Sequence, residues 1–401
     1  MNEKLKDCIK LIIDSILLIP LKILLTLIKK DDKVFIFGDF LGKRFGDNSK
    51  YLYLYLCKNK EKYLLKKIIW ITSTKEIYEE LKNNKYEVYY KYSFKSFYYH
   101  LKARYHFIDQ GETDISGFLS RNSLRINLWH GFPLKKIKKS CKNFKKKVNI
   151  GGWKKQYLLT CSKFGDQTLG EAFQVEKDKR IKGLYPRIDF LIKNDYPIFN
   201  KEKQYFNKIK ELKNKNKKIL LYLPTFRQNN SLVFLGETDS NKLNTFFEFL
   251  EKNNYFLLTK VHFVEKRKGR NEIEIKNNNF INIEANTDIY PILKESDILI
   301  TDYSSVYFDY LVLNKDIIFY PYDLEEYEKY DQGLLLNYDK FTPGDKVYTL
   351  DGLIENLKLK NINRDDFEIE RERLYKKCFE DYSIEDTIQN ILKLKEEKNE
   401  F

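Results

Sequence analysis

The stretch DILITDYSSVYFDYLVLNKDIIFYPYD (297–323) decides the fold. It opens on an apolar run that ends in Thr301-Asp302-Tyr303-Ser304-Ser305. SVYFDYLVL follows with helix-like apolar spacing, and DIIFYPYD (316–323) is apolar and strand-like again. A strand, a short helical crossover and a second strand make a βαβ unit, the building block of a parallel sheet.

The same alternation extends in both directions. KILLYLPTF (218–226), YFLLTKVHF (255–263) and FINIE (280–284) read as further strands of this half, with helices expected at 201–215, 241–253 and 305–314. An earlier half repeats the scheme. Its strands are KVFIFGD (33–39), KIIWIT (67–72), YEVYY (86–90), HFIDQG (106–111), INLWHG (126–131) and YLLTCS (157–162). Helical periods lie at 46–58, 74–83 and 92–103. The expected class is therefore α/β, with two Rossmann-like domains whose parallel sheets face a cleft. The join is placed near GLYPRIDFL (183–191), where Gly and Pro punctuate the chain. The expected domains are 31–185 and 186–401, the latter ending in charged helices over 351–396. Residues 1–30 form a separate segment.

That segment contains IKLIIDSILLIPLKILLTLIKK (9–30). Asp14, Pro20 and Lys22 interrupt it, which argues against a spanning helix, and it has no small-residue cleavage pattern. An amphipathic helix lying in the membrane interface is expected, with flanking lysines meeting anionic lipid. The alternative is a helix packed on the folded domain.

The whole chain of 401 residues carries a net charge of +15, which suits an anionic partner: nucleic acid, anionic lipid or a phosphorylated substrate. No zinc-finger, RNP or helix-turn-helix signature is present, so nucleic acid is not the expected partner. The five cysteines are scattered and lack CxxC spacing. A disulfide framework and a zinc site are both unexpected, and a reducing cytoplasmic compartment fits.

Ligands of open α/β sheets bind beyond the carboxyl ends of the strands. The residues at those ends are Trp129-His130-Gly131, then Pro224-Thr225-Phe226-Arg227, Lys260-Val261-His262 and Asp302-Tyr303-Ser304-Ser305. His130 and His262 are two of only four histidines, and histidine titrates where general acid–base work needs it. Ser304 and Ser305 stand at a helix start, as N-caps or as phosphate ligands. Arg227 offers a forked cation to pyrophosphate oxygens, or forms an ion pair. Asp302 and Asp309 are seven apart and have no metal-site spacing, so no metal ligand is assigned and magnesium dependence stays open. KKIKKSCKNFKKK (135–147) has eight lysines in thirteen residues. It is either a solvated loop or, through Lys135, Lys136, Lys138 and Lys139, a contact to membrane lipid or an anionic acceptor.

NLWHGFPLKKI, GLYPRID, LYLPTFR, KVH and ITDYSSVYFDYLVLNKDIIFYPYDLEEY together resemble the CDP-glycerol glycerophosphotransferase family of teichoic acid and capsule synthesis. FLGKRFGDNSKYLYLYL (40–56) is similar to its early segment. The resemblance runs from about residue 33 to 345 and is most specific in the DYSS–FDY–IFY–YDLEEY block. It implies a GT-B-like fold and transfer of a polyol phosphate from a CDP-glycerol or CDP-ribitol donor to an acceptor hydroxyl. The acceptor it implies is lipid-linked or a glycan, and the site is the cytoplasmic face of the bacterial membrane. It implies no tightly bound cofactor. His130 matches the family's general base. His262 matches a histidine that steadies the donor phosphates. Thr225, Arg227, Ser304 and Ser305 match the pyrophosphate cradle, with Asp302 orienting it. Phe132 departs from the family's small residue after WHG. The compact length suits a priming or single-domain transferase and leaves processivity open. Two rivals stand beside this reading: a GT-B glycosyltransferase using a nucleotide sugar, and a non-catalytic basic binder of membranes or nucleic acid.

Overall fold

The computed structural model describes residues 28–120, 123–137, 140, 156–193, 195–225, 227, 234–260, 277–331, 333–360 and 366–394. Thirteen strands are described, and they form two sheets.

The first sheet holds β1 (Asp31–Phe37), β2 (Lys67–Thr72), β3 (Val88–Tyr90), β4 (Ala103–Ile108), β5 (Leu124–Asn127), β6 (Gln156–Thr160) and β7 (Arg180–Lys182). Their order is β3-β2-β1-β4-β5-β6-β7, and each recorded pairing is parallel. The second sheet holds β8 (Lys218–Leu223), β9 (Tyr255–Thr259), β10 (Phe280–Asn282), β11 (Ile298–Thr301), β12 (Asp316–Phe319) and β13 (Asp345–Lys346). Its order is β10-β9-β8-β11-β12-β13, again parallel. The strands are nearly continuous apolar runs because helices cover both faces. Ile36, Phe37, Ile69, Trp70, Leu221, Leu299 and Ile300 are all fully buried. This is the expected α/β architecture of two Rossmann-like, GT-B-like halves. Strands β7 and β13 were not read from the sequence, since two or three residues carry no period.

Strand order reverses between β1 and β4 in the first sheet, and between β8 and β11 in the second. Such switch points open a crevice at the carboxyl ends of the strands. Asp39 and Asp109 follow the first pair of strands; Thr225 and Asp302 follow the second.

Buried charges tie the two halves together. Lys50, on the helix Asp47–Lys58, is 1% exposed and pairs with Asp288 at 2.8 Å and Glu202 at 3.3 Å. The Tyr51 hydroxyl donates to Asp288 at 2.6 Å. The last described helix, Ile384–Lys393, begins with a capping box between Ser383 and Asp386. Ile384, Ile388 and Ile391 give it one apolar face. The division expected at residue 185 groups this helix with the second half, but it lies against the first. The Thr387 hydroxyl donates to the Leu184 carbonyl at 3.0 Å, and Asn390 donates to that of Lys182 at 3.0 Å. A Cβ on Gly183 would collide with Thr387, so glycine lets the helix approach.

Residues 1–27, the core of the expected interface helix, lie outside the described residues. Among the described residues, no helix is long and apolar enough to cross a membrane.

Candidate active site

β5 ends at Asn127, and the chain then turns sharply. Trp129 takes φ 54° and Gly131 φ 135°, conformations that L-residues adopt rarely. Three contacts hold this turn. The Asn127 side chain accepts from the Trp129 N–H at 2.9 Å. Asn48 Nδ2 donates to the Leu128 and Trp129 carbonyls at 3.2 and 2.7 Å. Asn48 Oδ1 in turn accepts from the Arg187 N–H at 3.2 Å.

His130 is thereby set against the first turn of the helix Asp47–Lys58. Its Nδ1 lies 3.3 Å from the Asp109 carbonyl. A carbonyl only accepts, so Nδ1 carries the proton and Nε2 keeps its lone pair. Burial holds the imidazole down to about 4, with Asp47 opposing and Arg44 adding to the shift. The ring is neutral at pH 7 and available as a base.

The second half meets this turn at Gly131. A Cβ there would lie 3.1 Å from Arg187 Nη2 and 3.2 Å from Ser305 Oγ. The WHG and DYSS segments, 173 residues apart in sequence, are thus in contact across the cleft. Ser304 and Ser305 are both half-buried. Ser305 precedes the helix Val306–Tyr310 but makes no side-chain capping bond, so the N-cap role open to it from the sequence is not used.

Arg187 locks the juncture. It is 0% exposed and bridges Asp47 on one side and Asp309, at 3.0 Å, on the other. Asp309 also accepts from the Tyr290 hydroxyl at 2.8 Å. Burial would raise Asp47, but Arg187, Arg44 and His130 hold its carboxyl below the ordinary range.

Arg227 stands elsewhere than a free phosphate ligand would. Nε and Nη2 reach the Asp323 carboxylate at 2.7 and 2.9 Å, Nη2 also reaches Asp302 at 2.8 Å, and Nη1 donates to the Thr225 carbonyl at 2.6 Å. The guanidinium is 3% exposed and lies over the Tyr303 and Tyr327 rings, each 5.1 Å away. Two carboxylates in reach satisfy the fork, so the ion-pair alternative describes Arg227 here. Asp302 is the hub of this wall. It accepts from the N–H groups of Thr225 (2.8 Å) and Tyr303 (2.5 Å) as well as from Arg227. The Thr225 hydroxyl is buried and has no hydrogen-bond partner among the described residues.

The lysine run needs a correction at its start. Lys135 forms an antiparallel bridge with Leu334, and the Lys136 N–H donates to the Gly333 carbonyl at 3.1 Å. Lys135 is half-buried beside Asp302, Arg227 and Asp331, and burial lowers its pKa. It belongs to the cleft wall rather than to a solvent-facing membrane patch, because residues 134–136 are stitched to the second half. Lys138, Lys139 and residues 141–147 lie outside the described residues, as does His262. Its neighbour Lys260 is described at the end of β9, where Nζ donates to the Thr287 carbonyl at 2.6 Å.

The sequence reading assigned no role to four further residues. Arg44 binds Asp39 at 2.5 Å and Asp47 at 3.1 Å. Asp39 is raised to about 7 by burial, against Arg44. Asp109 accepts from the Ser49 N–H at 3.1 Å, and burial pushes its carboxyl well up. These residues lie in or touch FLGKRFGDN, where Phe40, Leu41, Gly42 and Asp47 all have positive φ. Asp39 and Asp109 stand at strand carboxyl ends, which the α/β rule singles out, while two glycines and a GDN helix start were the signal for Arg44 and Asp47. Among the described residues, no group of His, Cys, Asp and Glu is arranged to hold a metal ion.

The chain is 30% identical over 360 residues to a teichoic acid poly(glycerol phosphate) polymerase of Bacillus spizizenii, covering 86% of this chain and 88% of that protein. It is 31% identical over 371 residues to a teichoic acid glycerol-phosphate transferase of Staphylococcus aureus, covering 88% and 90%. The solved structure of the wall teichoic acid polymerase TagF shares the fold, with a TM-score of 0.70 at 22% identity, covering 93% of this chain and 90% of that one. The family model described as CDP-Glycerol:Poly(glycerophosphate) glycerophosphotransferase matches residues 21–393, and the chain belongs to that family.

Proposed function

We propose that the protein transfers glycerol phosphate, or a related polyol phosphate, from a CDP-polyol to a hydroxyl of a lipid-linked or glycan acceptor. The product is a teichoic acid or a related surface polymer. The observation that carries this reading is the approach of Ser305 to Gly131, which sets the turn carrying His130 against the DYSS segment of the other half.

The acceptor hydroxyl attacks the β-phosphorus of the donor in line. His130 Nε2 takes its proton as the new O–P bond forms, and the bond to the bridging oxygen breaks. CMP leaves. Ser304 and Ser305 bind the diphosphate oxygens, and His262 and Lys135 neutralise charge on the leaving group. Arg227 acts one step back, since it holds Asp302 and through it the Thr225 and Tyr303 amides. Phosphoryl transfer of this kind depends chiefly on positioning and electrostatic stabilisation. The reaction sits at the cytoplasmic membrane face, reached through the amphipathic segment before residue 31.

The test is CMP release from CDP-glycerol and CDP-ribitol, with and without a lipid-linked disaccharide, in wild type and His130→Ala. Acceptor-dependent release that falls about 10²–10⁴-fold in the variant supports the reaction and the base. Release from neither donor, but from a nucleotide sugar, replaces it with glycosyl transfer.

A further inference from the structure

Among the groups around the His130 turn, most charged side chains are fully buried within ion pairs. Arg187 is 0% exposed and Lys50 1%. Two cations are not. The Arg44 side chain is 28% exposed, and its bonds to Asp39 and Asp47 use Nε and Nη2, leaving Nη1 without a protein partner among the described residues. Lys260 is half-buried and pairs with no carboxylate among the described residues; its Nζ donates only to the Thr287 carbonyl.

Both converge on the first turn of the helix Asp47–Lys58. Arg44 reaches it from the first domain through Asp47. Lys260 reaches it from the second, since Thr287 adjoins Asp288, which pairs with Lys50 one turn along the same helix face. Asn48, between them in sequence, carries the carbonyls of Leu128 and Trp129 that lead into His130. The mutual influence of the two cations agrees: burial and then Arg44 bring Lys260 down to about 8, with Asp288, Glu202 and Asp47 opposing. Ser305, by contrast, touches the turn at Gly131. The donor diphosphate assigned to the serines leaves this second cationic edge unused.

We infer that Arg44 and Lys260 form an anion subsite beside His130, distinct from the donor cradle, which takes the phosphodiester of an acceptor already ending in a polyol phosphate. A terminal glycerol phosphate carries its phosphate one glycerol away from the hydroxyl it offers, so the subsite and the base address one acceptor end. Arg44 is held rigidly by two carboxylates, which lowers the entropy lost when its free edge binds an oxyanion. The inference rests on the transfer reaction proposed above.

The experiment uses the full chain with two acceptors, one ending in glycerol phosphate and one in a neutral disaccharide, for wild type, Lys260→Met and Arg44→Lys. Binding of a short glycerol phosphate oligomer is followed in parallel by calorimetry without donor. The expected result is a KM for the phosphate-ended acceptor raised about 10- to 100-fold in Lys260→Met, the scale of a charge-assisted hydrogen bond lost. Oligomer affinity falls in step, while the KM for CDP-glycerol and that for the neutral acceptor stay within a factor of three. Unchanged oligomer binding in folded Lys260→Met and Arg44→Lys overturns the subsite. A rise confined to the KM for CDP-glycerol overturns it too and moves both cations to the donor. Oligomer binding that depends on both cations, with no CMP released from any donor, keeps the subsite and refutes the reaction.

Discussion

Replacing Arg187 with methionine keeps the length and apolar stem of the side chain and removes its charge. Asp309, 1% exposed, then keeps only the Tyr290 hydroxyl, while Asp47 keeps Arg44. Breaking one partner out of a buried pair costs about 3–5 kcal/mol because the other charge is left uncompensated. Protonation limits that cost. Asp309 ordinarily titrates at 3.8 and is already pushed up by burial in the native protein, so without Arg187 it takes up a proton. Neutralising a carboxyl at pH 7 against an ordinary value of 3.8 costs about 1.36 × 3.2, or about 4.4 kcal/mol. At pH 5 the same product is about 1.6 kcal/mol. Arg187→Met is therefore expected to lose about 4 kcal/mol at pH 7 and less than half of that at pH 5. Urea unfolding at the two pH values measures it. Adding Asp309→Asn removes the carboxyl and should restore most of the loss at pH 7. A destabilisation equal at both pH values, or no recovery in the double variant, refutes the reasoning that an unpaired Asp309 is the cause.

Two other outcomes follow from the turn after β5. Gly131→Ala places a methyl group 3.1 Å from Arg187 Nη2 and 3.2 Å from Ser305 Oγ, in a φ that alanine resists. We expect CMP release to fall by at least about tenfold, because a displacement of about 1 Å in reacting groups can cost 10²-fold, with melting temperature read alongside; undiminished turnover would show that the contact does not position the base. The acid limb of kcat/KM should have its midpoint near 4, below the ordinary histidine value of 6.5, since His130 is held there by burial and works only when neutral. Activity is lost as pH falls through that value, and Asp39→Asn removes the neighbouring carboxyl that titrates at about 7 from the same profile. A midpoint at or above 6.5 in that variant would exclude His130 as the group observed.

Much of the site was legible because strand ends announce themselves. An apolar run that stops at Trp129-His130-Gly131, or at Thr301-Asp302, marks a carboxyl end whatever surrounds it, and the α/β rule gives the rest. Partners were not legible. Nothing local in LPTFR tells that Arg227 will meet Asp323, 96 residues on, or that Asp302 will accept the Thr225 amide from 77 residues away. The exposed and the paired arginine share one sequence signature, and only the fold chooses between them. Lys135 shows the same limit. A lysine run has no internal sign of where it leaves the surface, and the backbone bridge to Leu334 is what draws its first member into the cleft.

The ion pairs between the halves bear on why the site has one geometry. An apolar interface of equal area could be as stable, since desolvation offsets much of the gain from a buried pair. Apolar surfaces, however, tolerate small rotations and slips, whereas a charge left without its partner does not. Lys50 with Asp288 and Glu202, and Arg187 with Asp47 and Asp309, both anchor in the one helix that also carries Asn48. A rotation of one half against the other would separate both sets at once, and Asn48 would carry the His130 turn away from Ser305 with them. The buried charges therefore fix the register in which the His130 turn of one half meets Ser305 of the other. That explains why charged residues occupy positions where packing alone would favour leucine.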